Sequence, residues 1–405
     1  MRRRAQRLAV HLQPGAERAV TAGHPWVYAE SIRKQQHGGR AGDLAVIFDR
    51  KDRFLAIGLY DPTSPIRIRV LHRGHPKPID ENWLLEQLRQ ACERRQALSS
   101  SPDTTAFRVV HGENDGLPGL VVDRYDRSMV IKVYTAAWLP HLDDVMDALR
   151  DLVGPGQMVL RLGRGVRISE ESKRRDRQVL LGEDAVMPVV FRENGLLFEA
   201  DLLRGQKTGF FLDQRENRAR VERLASGRSV LNVFAYTGGF SVYAARGGAR
   251  SVTSLDVSPP ALAAAKRNFA HNRSVGGVAS ARHEVAQGDA FKLLAEMRDS
   301  GHVFDMVILD PPSFAKANSE VDGALRAYAR IIRLGIDVLS DGGTLVAASC
   351  SSRITSDRFR RLVQDTVAKA QRSIQVLQQT GHPPDHPIGF PEGAYLKCIF
   401  ATVGR

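Results

Sequence analysis

The chain has 405 residues, 43% hydrophobic and 25% charged, which is length enough for two to three domains and too apolar for wholesale disorder. Its three cysteines, Cys92, Cys350 and Cys398, form no Cys-x-x-Cys pair, which excludes a disulfide framework and a cysteine zinc site; no metal is expected. Lys and Arg number 58 against 45 Asp and Glu, and the net +13 favours a polyanionic partner, nucleic acid before membrane.

The basic start, MRRRAQRLAVHLQPGAERAV, has an apolar stretch broken by His11, Gln13 and Pro14 and so lacks a signal-peptide core. No apolar run approaches the ~20 residues that span a bilayer, and a cytoplasmic protein with no membrane partner is expected. Residues 1–75 carry 14 Lys or Arg against 6 Asp or Glu. Within them LAVIF (44–48) and FLAIGLY (54–60), separated by the turn-forming residues 49–52, predict strands of a small all-β unit. PIRIRVL (65–71) alternates apolar and basic residues at period two, which predicts a half-buried strand with a cationic outer face.

A mixed αβ middle domain is expected over 76–188. ENWLLEQLRQACERRQAL (81–98) puts Leu84, Leu85, Leu88, Ala91 and Cys92 on one helical face, making Cys92 core or border. Residues 107–135 predict three strands joined by turns, HLDDVMDALRDLV (141–153) a helix, and Arg161–Arg177 an exposed basic cluster. From Val189 to the end, apolar strands alternate with helical patterns, the signature of a parallel, doubly wound sheet. VLNVFAY (230–236), SVTSLDV (251–257), DMVILD (305–310) and TLVAASC (344–350) are its clearest strands.

The first of these strands runs into Thr237, Gly238, Gly239 and a helix, where small residues let a ligand approach the backbone. The second ends in Asp256, a natural acceptor for two ribose hydroxyls. A G-x-G-x-x-G turn for a dinucleotide pyrophosphate is missing, so S-adenosylmethionine, which has no phosphates, is the expected cofactor. Asp310-Pro311-Pro312-Ser313-Phe314 ends the third strand; without two backbone N–H donors its carbonyls can accept bonds from a flat base, and Phe314 can stack or wall the pocket. Cys350 ends the fourth strand on the same edge. Alone, such a cysteine is more often small core filler; beside a cofactor turn and a base pocket it becomes a candidate nucleophile. Cys398, inside YLKCIFATV, reads as core.

HPWVYAESI (24–32), HGENDGLPGLVVDRYD (111–126), GQKTGFFLDQRENR (205–218), LNVFAYTGGFS, LDPPSF, SCSS and DHPIGFPEGAYLK (385–397) together resemble the RlmI-type ribosomal RNA large-subunit methyltransferases, which make 5-methylcytosine with S-adenosylmethionine. The resemblance runs over nearly the full chain. It implies a PUA-like RNA-binding barrel at 1–75, a middle domain at 76–188 that helps shape the RNA cleft, and a Rossmann-like catalytic domain at 189–405. It implies that Gln206, Lys207, Thr208, Gly209 and Phe211 pack beside the cofactor. Phe234, Ala235, Tyr236, Thr237, Gly238 and Gly239 would cradle its methionine part and Asp256 its ribose, with Asp289 and Ala290 at the adenine. Asp310, between cofactor and base, would bind the target and Cys350 attack it, with ribosomal RNA as partner and a homodimer left open. Many RNA 5-methylcytosine enzymes carry a second cysteine near the Pro pair; here the segment is Asp-Pro-Pro-Ser, so product release has no second thiol. Two other readings are methylation of a guanine or adenine nitrogen, which needs no cysteine, and a non-catalytic RNA-binding protein.

Overall fold

A computed structural model of the chain describes residues 5–154, 156–168, 174–182, 187–315 and 317–405. It forms two compact units. One comprises Met1–Gly195, Ala200–Leu212 and Pro384–Phe390, the other Leu196–Glu199, Asp213–Pro383 and Pro391–Arg405.

The first unit begins with a six-stranded mixed sheet built from Arg7–Leu12, Trp26–Tyr28, Ile32–Gln35, Leu44–Phe48, Phe54–Tyr60 and Ile66–Arg73. Arg7–Leu12 runs parallel to Leu44–Phe48, and the other pairings are antiparallel. Leu8, Val10, Val27, Ile47, Ala56 and Ile68 fill its core. All three expected strands are present, and the basic start adds a helix, Pro14–Thr21, with Pro14 in its first turn where a missing N–H costs nothing.

A five-stranded sheet follows, with Ala106–His111, Leu120–Tyr125, Ser128–Val133, Gln157–Leu162 and Gln178–Leu181 side by side in chain order. Asp80 caps the helix Glu81–Arg94 by accepting from the Trp83 amide, and Trp83, Leu84, Leu88 and Ala91 are its buried stripe. Helix Leu142–Val153 contributes Leu142, Val145 and Leu149 to the same core, and Leu44, Ile57, Leu59 and Leu71 of the first sheet join it. Cys92 lies at the border of that core, as expected, and burial pushes its thiol up to about 11.

Two basic readings are corrected here. Arg69, expected on a cationic outer face, is only 6% exposed: its Nη1 donates to Glu113 Oε1 at 2.9 Å, and Trp26 Nε1 donates to the same oxygen at 2.7 Å. Period-two alternation says that a residue leaves one face of a sheet, not that water meets it on the other. Of the Arg161–Arg177 cluster, residues 169–173 lie outside the described residues, and Arg161 turns inward to the carbonyls of Leu202 (2.9 Å) and Gly205 (3.2 Å). Arg164, Arg167, Arg175 and Arg177 are exposed.

The second unit is built on a seven-stranded sheet whose strands we label β1 (Ser229–Val233), β2 (Ser251–Asp256), β3 (Arg282–Gln287), β4 (Phe304–Leu309), β5 (Leu339–Ser349), β6 (Ser373–Thr380) and β7 (Lys397–Gly404). Their spatial order is β3-β2-β1-β4-β5-β7-β6; the first five are parallel, and β7 is antiparallel to both its neighbours. The crossovers include α1 (Gly239–Arg246), α2 (Pro259–His271), α3 (Ala290–Asp299), α4 (Val321–Asp337) and α5 (Ser356–Lys369). All five residues of β1 are buried, and α4 packs Tyr328, Ile331 and Ile332 into a core shared with Val307, Leu309 and Leu345. Continuous apolar strands covered by helices are what a parallel sheet requires. The order reverses between β1 and β4, and in such sheets the crevice beyond the carboxyl ends at that point takes the ligand.

Candidate functional site

Register brings the chemistry to one edge. Val233 pairs with Leu255 on one side and Leu309 on the other, and Leu309 pairs with Ala347. The residues that follow these strand ends, Phe234, Asp256, Asp310 and Cys350, therefore emerge along a single rim. Because β7 runs the opposite way, its first residue, Lys397, reaches the same rim opposite Ser349.

Beyond β1 the backbone is bent hard. Phe234 (φ 60°) and Tyr236 (φ 49°) are left-handed non-glycine residues within three positions, a conformation that costs about 1–3 kcal/mol each and persists only where surroundings enforce it. The Ala235 amide donates to Leu255 O at 2.9 Å, and Asn268 Nδ2 of α2 donates to Thr237 O at 2.8 Å. Gly238 has φ 75°, and a Cβ there would lie 2.9 Å from Ala265 Cβ, so α2 can approach only a glycine. Gly239 then opens α1. Asp256 serves this turn with both oxygens: Oδ2 accepts from the Tyr236 amide (2.8 Å) and Oδ1 from the Ser258 amide (2.9 Å). Each carboxylate oxygen keeps a further lone pair, so a ribose diol is compatible with both bonds. Thr237 Oγ1, on a residue only 7% exposed, has no hydrogen-bond partner among the described residues, which marks a place for a polar ligand group. Asp289 is exposed and caps α3 through the Lys292 amide (3.0 Å), and Ala290 behind it is buried. The residues on this side of the rim fit an adenosyl cofactor.

On the other side, Pro311 is buried and Pro312 exposed. Phe314 is half-buried with its ring edge-on to Tyr328 at 4.8 Å, so part of its surface serves the core. Tyr328 is 1% exposed, receives a hydrogen bond from Ser349 Oγ (3.1 Å), and is held neutral by burial and by the negative charges of Cys350 and Asp310. Cys350 is half-buried at the end of β5. Cys398 is fully buried, in keeping with the core reading, and burial raises its thiol far above the ordinary value.

Lys397 closes the family-resembling segment DHPIGFPEGAYLK, but the sequence alone assigns it no role. It is 2% exposed, and its Nζ donates to the carbonyls of Ser351 and Ile354, both at 2.5 Å. Burial lowers its pKa to about 8 against the pull of the Cys350 charge. A second sign is that this lysine heads a strand that is otherwise apolar, KCIFATV.

Gln206, Lys207, Thr208, Gly209 and Phe211 belong to the first unit. Thr208 Oγ1 donates to Asp123 Oδ2 (2.6 Å) and meets Tyr125 Oη (3.0 Å), while Tyr125 Oη accepts from the Phe210 amide (3.1 Å). Lys132 Nζ donates to Lys207 O (3.2 Å), and Lys207 Nζ lies 4.5 Å from the centre of the Phe211 ring. Gly209 has φ 134°, and a Cβ there would meet Ala200 Cβ at 3.0 Å. The loop is thus fixed in shape before any ligand arrives. Asp123 and Tyr125 fall within the family-resembling segment 111–126, but their link to the loop, and that of Lys132, spans some 75–85 residues and is not readable from the sequence.

Comparison with known proteins identifies the family. A family profile described as S-adenosylmethionine-dependent methyltransferase matches residues 120–401, and one described as a PUA-like domain matches residues 10–73. A ribosomal RNA large subunit methyltransferase from Deinococcus radiodurans is 48% identical over 98% of this chain and 97% of its own. A ribosomal RNA large subunit methyltransferase I from Pseudoalteromonas translucida is 36% identical over 98% and 99%. Among solved structures, a SAM-dependent methyltransferase from Streptococcus mutans superimposes with a TM-score of 0.82 at 22% identity, covering 97% of this chain and 99% of that one, which speaks to the fold. The chain belongs to the ribosomal RNA large subunit methyltransferase I family of S-adenosylmethionine-dependent methyltransferases.

Proposed function

We propose that the chain methylates C5 of a cytosine in large-subunit ribosomal RNA, with Cys350 as the nucleophile. The observation that carries this is the position of Cys350 on the rim, one strand from Asp310 and with a buried lysine bound to the next carbonyl along the chain. In this reading the turn Phe234–Gly239 would hold the methionine part of the cofactor, Asp256 its ribose, and Asp289 and Ala290 its adenine. The loop Gln206–Phe211 keeps the cofactor role that the resemblance implies. When bound, S-adenosylmethionine supplies an electrophilic methyl group.

C5 of cytosine is a poor nucleophile, and this chain's residues have to make it a better one. The Cys350 thiolate donates a lone pair to C6, forming an S–C6 bond, and the displaced π pair makes C5 enamine-like. After C5 is methylated, its proton leaves to a base and the S–C6 pair returns to Cys350, restoring the thiolate. Pro311, Pro312 and Phe314 would wall the base and Asp310 hydrogen-bond it. The base must be unpaired or flipped outward to enter. Residues 1–75 would supply phosphate attraction, residues 76–188 further RNA contact, and residues 189–405 the chemistry.

RNA carrying 5-fluorocytosine at the target distinguishes this from nitrogen methylation. Fluorine cannot leave as a cation, so a covalent RNA–protein band should survive denaturing electrophoresis, and it should require both S-adenosylmethionine and Cys350. Turnover on such RNA without any adduct would favour the nitrogen-methylating alternative.

A further inference from the structure

A lysine is almost never fully buried unless its charge is compensated. Lys397 is 2% exposed, and among the described residues no Asp or Glu lies within ion-pairing distance of it. Two of its three donors are used on the carbonyls of Ser351 and Ile354, which bracket the turn that starts at Cys350. The turn is held from its other side as well: the Ser351 amide donates to Ser349 Oγ (3.4 Å), Ser351 Oγ to Ala315 O (3.3 Å), and the Arg353 amide to Ser351 Oγ (3.3 Å). Carbonyl dipoles satisfy hydrogen bonds but leave a net positive charge at the rim, in the place where a thiol must become an anion.

We propose that Lys397 is the positioning residue for Cys350: its buried ammonium fixes the turn that carries the thiol and supplies the positive charge against which the thiol ionises. The proposal rests on the reading of Cys350 as nucleophile. Among the described residues, three other titratable or charged side chains at this end of the sheet do not supply that charge. Asp310 beyond β4 is negative when ionised, Tyr328 of α4 is a neutral buried phenol, and Arg353, on the same turn, is exposed. The thiol proton goes to solvent, Lys397 keeps its own, and the pair is productive while the lysine is charged. Burial brings the lysine to about 8, so the productive window closes as pH rises past that value.

The test is alkylation of full-length protein by iodoacetamide across about pH 5 to 10, read on the Cys350 peptide by mass spectrometry. In the natural protein the midpoint should fall below the ordinary thiol value of about 8.5, and a midpoint at or above it overturns the proposal whatever the variants do. In Lys397→Met, checked for folding by cofactor binding, the midpoint should rise by about one unit or more, which slows alkylation near neutrality about tenfold. Lys397→Arg should recover most of the loss. A purely structural lysine would leave the midpoint in place, and that result overturns the assignment. The 5-fluorocytosine adduct is followed in parallel. An adduct in the natural protein with an unmoved Lys397→Met midpoint defeats Lys397 alone, whereas a Cys350 that never forms the adduct defeats the nucleophile reading and this inference with it.

Discussion

The two halves of the rim are made of different material. Beyond β1 and β2 the rim is mainly backbone: left-handed Phe234 and Tyr236 and a glycine that lets α2 close in, held by one carboxylate that ties the turn to the next strand. Beyond β5 it is the half-buried Cys350 thiol, backed by a buried phenol and a buried ammonium that lie beneath it, three side chains drawn from three separate stretches of chain. A backbone cradle recognises shape and stays rigid through the cycle, which suits a cofactor that is bound and released. A cluster of titratable side chains has a protonation state to change, which suits a covalent step. Damage to one half should therefore leave the other's function measurable.

The largest expected effect tests that separation. If Cys350 is the nucleophile, as proposed, Cys350→Ala should lower turnover by about a thousandfold or more, since the attacking group is deleted rather than weakened, while calorimetry finds cofactor affinity within error of the natural protein. Cys92→Ala, at the border of the middle-domain core, should stay active. Full turnover in Cys350→Ala would make the β5 side as passive as the β1 side and sink covalent catalysis.

Asp256→Ala attacks the other half. Two ribose hydroxyls would lose a charged acceptor at roughly 1.5–3 kcal/mol per bond, and the Tyr236 amide loses its anchor, so cofactor affinity should drop by at least about a hundredfold. The rate of Cys350 alkylation should not change. An unaltered dissociation constant would remove Asp256 from the site, and a change in thiol reactivity would break the division between the halves.

That division also explains what sequence made legible. The cofactor side is local in sequence: strand, small residues and Asp256 lie within about twenty residues, and turn chemistry follows rules that read directly from residue type. Asp310-Pro311-Pro312 and Cys350 were legible for the same reason, each being the end of an apolar run. Lys397 was not, because its partner carbonyls are 46 and 43 residues away and only the antiparallel insertion of β7 beside β5 joins them. Arg69 is the opposite case: its strand is legible from its own residues, but the acceptor that buries it, Glu113, comes from 44 residues further on. The loop Gln206–Phe211 was visible through family resemblance alone, since its shape depends on Asp123 and Tyr125.

The smallest expected effect concerns the backbone-built half and its dependence on acid. Beneath the cofactor turn a chain of buried hydrogen bonds crosses three strands: Asn232 Nδ2 donates to Ser241 Oγ (2.9 Å), which meets Ser254 Oγ (2.7 Å), which meets His283 Nε2 (2.9 Å). His283 lies flat on Phe269 with ring centres 3.6 Å apart, and burial, helped by nearby Lys266, lowers its pKa to about 4. The unfolded chain has this histidine near 6.5, so between those values the unfolded state takes up a proton that the folded state refuses. Its contribution is complete above about pH 6.5, declines as pH falls towards about 4, and is constant below; allowing for residual exposure it amounts to about 2 kcal/mol. Urea unfolding should therefore show the natural protein losing stability over that window more steeply than His283→Gln, which retains a hydrogen-bonding group but does not titrate. Parallel slopes would mean that His283 is as protonated in the folded protein as in the unfolded one, and that the ground under the cofactor turn is wetter than its packing implies.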